Sequence, residues 1–169
     1  MDHQPKPTSR DALTGAANEA GLLRFMAAVL DLMDSKGPPV GFLHLAIDGF
    51  GGIVVQHGEA AGNALLLGVA DRLHEGVRTQ DLVGRIGDGF GICMPDLLPS
   101  QARGAAERLR RAMAAAAVPT PAGELGLTCS SGIALTRGSG LAAATLLLEA
   151  RDALRVAQRS GGDRIVASG

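Results

Sequence analysis

Two short groups of residues in this chain have the types and spacing for chemistry. The first is Arg78-Thr79-Gln80-Asp81, which sets a guanidinium and a carboxylate three residues apart just before an apolar run. An arginine fork can donate two parallel N–H bonds to the O6 and N7 acceptors of guanine. A carboxylate can accept from the N1–H and N2–H₂ edge of the same base. The second is Gly87-Asp88-Gly89-Phe90, a Gly-rich turn between two apolar runs. Metal-assisted chemistry on a triphosphate would need facing carboxylates at such a turn. This one offers Asp88 alone. A depleted catalytic turn beside an intact ligand clamp predicts sensing rather than turnover. Arg-x-x-Asp by itself is also the pattern of an exposed ion pair, worth about 0–1 kcal/mol.

A sheet and its helices must hold these groups. Asn18 can cap a first helix striped by Leu22, Phe25, Met26, Val29, Leu30 and Met33, stopped by Gly37-Pro38-Pro39. Val40–Ile47 alternates as a strand, with Leu43, Leu45 and Ile47 on one face and His44, Ala46 and Asp48 on the other. Gly49 to Gly58 reads as a Gly-rich connection, and Leu66, Val69, Ala70 and Leu73 mark a second helix. Leu82–Ile86 and Phe90–Met94 form a hairpin joined by Gly87-Asp88-Gly89. Ala102, Ala105, Ala106, Leu109 and Met113 stripe a third helix, and Pro119–Gly123 is a loop. Leu125 to Leu135 alternates as one long strand, and Leu147, Ala150, Leu154 and Ala157 stripe a last helix. Gly161-Gly162 ends it before a short strand at Arg164–Ala167. The order predicts an α/β protein of the α+β sandwich kind. Its core is a ferredoxin-like βαββαβ unit: a central mixed, mainly antiparallel sheet flanked by helices.

Composition narrows the function classes. The 169 residues are 46% hydrophobic and 20% charged, enough to bury a core. Four Phe and no Trp or Tyr leave no stacking platform for single-stranded nucleic acid. A net charge of −1 argues against general affinity for nucleic acid or anionic membrane. No apolar run reaches the roughly 18 residues of a membrane helix, and the polar start is no signal peptide. Membrane insertion is not expected, and a cytoplasmic location is. Residues 1–10 read as a flexible lead-in and 11–169 as the domain. Cys93 and Cys129 read as small buried hydrophobes. His44 and His57 lack a metal-ligand spacing and read as structural.

Several segments together resemble the GGDEF domain, the fold of bacterial diguanylate cyclases and so of the nucleotidyl-cyclase class. Asp11-Ala12-Leu13-Thr14-Gly15 with Asn18 is similar to its opening signature, and Ile47-Asp48-Gly49-Phe50 to its first-strand motif. His57-Gly58 with Ala61-Gly62-Asn63 resembles its Gly-His-x-x-Gly-Asp turn, and Arg85 to Pro95 its signature hairpin. Ala106 to Arg110, Thr128 to Ala134, and Asp152 to Gly161 resemble its later elements in order. The resemblance implies a fold that, in active members, joins two GTP molecules into cyclic di-GMP with two-metal help.

Set against that pattern, this chain lacks the tools. The first-strand metal aspartate aligns with Ala46. The signature is one residue short as Gly87-Asp88-Gly89-Phe90, the guanine-holding Asn and Asp align with Val54 and Asn63, and the triphosphate Lys and Arg align with Gln158 and Gly162. No catalytic residue, metal site, cofactor or magnesium is therefore expected. The family's product-binding inhibitory site, Arg-x-x-Asp, aligns with Arg78 and Asp81, and its second arginine with Arg108. The expectation is an inactive GGDEF-like receptor for cyclic di-GMP in second-messenger signalling, working through a protein partner or a homodimer. Two alternatives stand beside it. One is a nucleotide-independent interaction or dimerisation module that regulates a partner such as a phosphodiesterase domain. The other is a surviving enzyme or GTP-binding site that uses Asp48 and Asp88 as a metal pair.

Overall fold

Asn18 starts the first helix as its side chain allows, its Oδ1 accepting from the Gly21 N–H at 2.8 Å. From there α1 runs Glu19–Leu32. The computed structural model describes residues 9–32, 38–136 and 142–168. Met33 and Gly37, placed above at the end of this helix, and most of the 1–10 lead-in lie outside the described residues.

Beyond α1 come β1 (Gly41–Ile47), α2 (Phe50–His57), α3 (Glu59–Gly76), β2 (Leu82–Ile86), β3 (Gly89–Met94) and α4 (Pro99–Ala114). The chain continues with β4 (Val118–Thr120), β5 (Gly123–Leu125), β6 (Cys129–Leu135), α5 (Ala143–Arg159) and β7 (Ile165–Ala167). Five strands form one sheet in the order β2-β3-β1-β6-β7. β1 is central and antiparallel to both β3 and β6, β2 is antiparallel to β3, and β7 is parallel to β6. This is the mixed, mainly antiparallel sheet that the sequence pattern predicts.

Alternation in β1 builds two cores. Leu43, Leu45 and Ile47 face α3 and α4, packing with Leu65, Val69, Ile92 and Leu109. Phe42 faces the other way with Leu22, Met26, Leu146 and Ala150 of α1 and α5. Phe42 and Phe90 are fully buried, and each such side chain stabilises by roughly 1.5–3 kcal/mol. The segment before α1 lies along β2, where the Ala17 N–H donates to Val83 O at 3.1 Å and the Arg85 N–H to Ala17 O at 2.7 Å.

Four local readings change. Gly49–Gly58 is not only a connection, because Phe50–His57 forms α2. Its partly buried Phe50 and Ile53 pack on the main core, a contact that Gly51-Gly52 hides from a periodicity reading. The hairpin turn is two residues, since Ile86 pairs directly with Gly89. Gly87 has φ 54, the left-handed first position of a two-residue hairpin turn. The Pro119–Gly123 loop is the bend of a small β4–β5 hairpin. The long strand expected over Leu125–Leu135 is two strands, with a break at 126–128 where the chain leaves β5 and joins the main sheet.

Candidate functional site

Arg78 follows the end of α3, and Asp81 precedes β2. A tight turn, with the Asp81 N–H donating to Arg78 O at 3.0 Å, brings the two side chains face to face. Arg78 donates from Nη2 to Asp81 Oδ1 at 2.9 Å and from Nε to the same oxygen at 3.2 Å. Asp81 Oδ2 also accepts the Arg78 backbone N–H at 2.8 Å. The guanidinium reaches across to the β3–α4 turn, donating from Nη2 to Pro95 O at 2.6 Å and from Nη1 to Asp96 O at 3.3 Å. Four of its five N–H groups are thus engaged. Among the described residues one Nη1 hydrogen has no acceptor.

This geometry divides the roles that the sequence treats as equal. Arg78 is 34% exposed, whereas Asp81 is 3% exposed behind it. Asp81 aims Arg78; to touch a base edge itself it would have to release that arginine. Its charge adds to burial in pushing the nearby Cys93 thiol up to about 12, so Cys93 stays a protonated core residue, as its sequence context suggests.

Arg108, on α4, shares a cavity of about 480 Å³ with Arg78 and Asp81. Its Nη2 donates to Gly76 O at 3.2 Å from an exposed position. The three residues proposed from sequence therefore converge on one space, within the ~300–1,000 Å³ usual for small-molecule sites. Ser100, Gln101 and Gly104 also line it, from the first turns of α4. Sequence reasoning did not include them, although Pro99 at the first helical position was the signal for a helix start here. A helix N-terminus on the cavity wall adds a field that favours anions.

Four of the eight positions read as vestigial line a second cavity, of about 360 Å³. Ala46, Asp88, Gly89 and Gln158 line it together with His44, Phe50 and Gly51. Val54 instead presses on Gly62, where an added Cβ would lie 2.7 Å from Val54 Cγ2, and Asn63 follows on α3. Gly87 is in the hairpin turn, and Gly162 abuts the Asp48 carboxylate. Ala46 pairs across the sheet with Gly89. A Cβ at Gly89 would stand 2.5 Å from Leu45 O, so this register has no room for an acidic side chain there.

Asp48 does not turn toward Asp88. It accepts from Thr128 Oγ1 at 2.6 Å, Ser130 Oγ at 2.7 Å and the Asp163 N–H at 2.8 Å, tying β1 to β6 and the approach to β7. The donor set of the cleft does not fit a divalent cation, which wants several oxygen ligands. Asp88 is its one carboxylate, and no metal-binding group of three or more His, Cys, Asp or Glu forms among the described residues. His44 lies between Gly91 and Gly132 of the neighbouring strands. It is 8% exposed, and its Nδ1 has no hydrogen-bond partner. Burial, reinforced by the Arg151 charge, pushes its pKa down to about 4. His57 closes α2 and does not line the cleft.

With this geometry in hand, comparison with known proteins defines the class. The family described as "Diguanylate cyclase, GGDEF domain" matches residues 8–164. The chain belongs to that family. Diguanylate cyclase DgcP of Pseudomonas aeruginosa is 30% identical over 166 residues, which is 98% of this chain and 25% of DgcP. The chain spans well under half the length of the curated relatives it matches. Diguanylate cyclase SiaD of P. aeruginosa, solved in complex with its activator SiaC, is 28% identical with TM-score 0.89, over 95% of this chain and 62% of that one. The GGDEF domain of DgcB from Caulobacter crescentus, solved in complex with c-di-GMP, has TM-score 0.88 at 21% identity, over 99% of this chain and 97% of that one. No helix among the described residues is long and apolar enough to cross a membrane.

Proposed function

We propose that this GGDEF domain is a receptor for cyclic di-GMP and makes none of it. The ligand docks on Arg78 and Arg108, with Asp81 holding Arg78 in place. One observation carries the reading: a single cavity gathers Arg78, Asp81 and Arg108 beside the start of α4. An arginine fork and a second arginine suit a ligand with two guanines and two phosphates, because guanidinium groups bind purine edges and phosphates in bidentate fashion. The α4 N-terminus favours the phosphates. Silence as an enzyme is supported by Ala46 and Gly89, which leave the second cleft without paired acids. It is also supported by Asp48, which is consumed in structural bonds.

Calorimetry with cyclic di-GMP tests the receptor. Saturable binding is expected, and Arg108→Ala should weaken it by about tenfold or more, the value of a charge-assisted contact. Among the described residues Arg108 makes a single, exposed bond, so its loss should leave urea unfolding unchanged. No heat from the unmodified protein would end this reading. Catalytic silence has its own assay. Incubation with GTP and Mg²⁺ or Mn²⁺ should yield no cyclic di-GMP by chromatography, and turnover above the no-protein control would refute it.

A further inference from the structure

The cavity at the clamp is rich in donors and short of acceptors. Five polar side chains line it: Arg78, Asp81, Ser100, Gln101 and Arg108. Asp81 is the one carboxylate among them, and its side chain is 3% exposed. Its Oδ1 accepts from Arg78 Nη2 at 2.9 Å and from Arg78 Nε at 3.2 Å. Its Oδ2 accepts from the Arg78 backbone N–H at 2.8 Å. Gln101 Oε1 accepts from the Leu98 N–H at 3.1 Å, so its NH₂ end is the one available to a ligand. Gly76 O, on the cavity wall, accepts from Arg108 Nη2 at 3.2 Å. Among these side chains the Ser100 hydroxyl is the acceptor that remains, and it carries no charge.

The donors are better supplied. Arg108 makes one bond among the described residues, which leaves most of its N–H groups for a ligand. Arg78 adds one Nη1 hydrogen without an acceptor among the described residues. We propose that the cavity takes 6-oxopurine cyclic dinucleotides as a class and does not read the guanine 2-amino group, because Asp81 positions Arg78 and is closed to the ligand. The proposal rests on the receptor function proposed for this cavity.

The chemistry of the base makes the distinction. Guanine presents acceptors at O6 and N7 and donors at N1–H and N2–H₂. A cavity lined by donors meets the acceptor edge and the phosphate oxygens, chiefly through Arg108. It holds no free carboxylate for the donor edge. To accept from N2–H₂, Asp81 would have to release Arg78 and exchange bonds from a cation for bonds from a neutral base. The hypoxanthine base keeps O6, N7 and N1–H and lacks only the 2-amino group. Adenine instead places an N6–H₂ donor where guanine has O6, and arginine N–H groups would face it.

Calorimetry on the unmodified chain with cyclic di-GMP, its hypoxanthine analogue cyclic di-IMP, and cyclic di-AMP tests the proposal. Cyclic di-IMP should bind within about fivefold of cyclic di-GMP, whereas a lost bond to a free carboxylate would cost about tenfold or more. Cyclic di-AMP should bind at least about tenfold more weakly than cyclic di-GMP, as two facing donors dictate. Asp81→Asn separates positioning from contact. It should weaken cyclic di-GMP and cyclic di-IMP by the same factor, because it acts on both through Arg78. A loss confined to cyclic di-GMP would place Asp81 on the 2-amino group and overturn the proposal. So would a preference above about fivefold for cyclic di-GMP over cyclic di-IMP in the unmodified chain, or cyclic di-AMP bound within about tenfold of cyclic di-GMP. Those results would leave the receptor function standing. Silence toward all three ligands would end the receptor function and the proposal together.

Discussion

Arg78→Ala is expected to abolish cyclic di-GMP binding and to cost about 1–3 kcal/mol of stability in urea unfolding, the range for leaving a shielded polar group without its partner. The two effects have one cause. The Asp81 side chain is 3% exposed, and among the described residues the Arg78 guanidinium supplies its side-chain partners. Truncation strands a buried carboxylate with only the backbone N–H of residue 78. It also removes the donor from Pro95 O and Asp96 O, in a turn where Asp96 already holds φ 52. The penalty belongs to the orphaned charge, so Arg78→Ala combined with Asp81→Asn should recover about half of it. Arg78→Lys should sit between, because an ammonium cannot span a carboxylate and two carbonyls at once. Equal stability of Arg78→Ala and the parent protein would show that the pair does not hold the loop. Arg108→Ala separates ligand from fold: a receptor site loses affinity in both variants, a purely structural Arg78 in only one.

How far the sequence reached depends on the range of the physics involved. The β1 alternation named both of its faces correctly, because Leu43, Leu45 and Ile47 need only period two to find the core. The clamp was legible because Arg78 and Asp81 are three residues apart and a turn suffices to join them. The role of Asp48 was not legible. Its partners Thr128 and Ser130 are 80 and 82 residues away, and only the β1–β6 register brings them near. The misread strand has a similar origin: Leu125 to Leu135 alternates in sequence, yet Gly123–Leu125 pairs with β4 and Cys129–Leu135 with β1, partners that sequence spacing does not reveal. Gly51-Gly52 concealed α2 in a similar way, since its stability comes from Phe50 and Ile53 packing on α3 rather than from helix propensity. Asp81 shares a cavity with Arg78 and Arg108, but which side chain of the pair is exposed depends on burial, and spacing does not encode it.

His44 gives the second cleft a pH signature. Its pKa is pushed down to about 4 from 6.5, by burial first and the Arg151 charge second. Between those values the unfolded chain binds a proton that the folded chain refuses, so stability rises with pH across the window. The contribution is complete above pH 6.5 and is lost as pH falls toward 4. At about 1.4 kcal/mol per unit, the loss is on the order of 3 kcal/mol. Asp11 and Glu107 are held below their ordinary ranges. For Asp11 burial opposes the Thr14 and Arg85 contacts that prevail, and for Glu107 the Arg110 contact dominates. Their contributions are present above those ranges and fade only beneath them, under most of the His44 window. His44→Leu should therefore flatten urea stability between pH 6.5 and 4.5 while the parent protein declines. The variant should be at least as stable as the parent at pH 7, because it also removes a buried Nδ1 without a partner. A variant that keeps the parent's slope would assign the pH dependence to other groups. One that unfolds at pH 7 would show that the ring is needed for packing between Gly91 and Gly132.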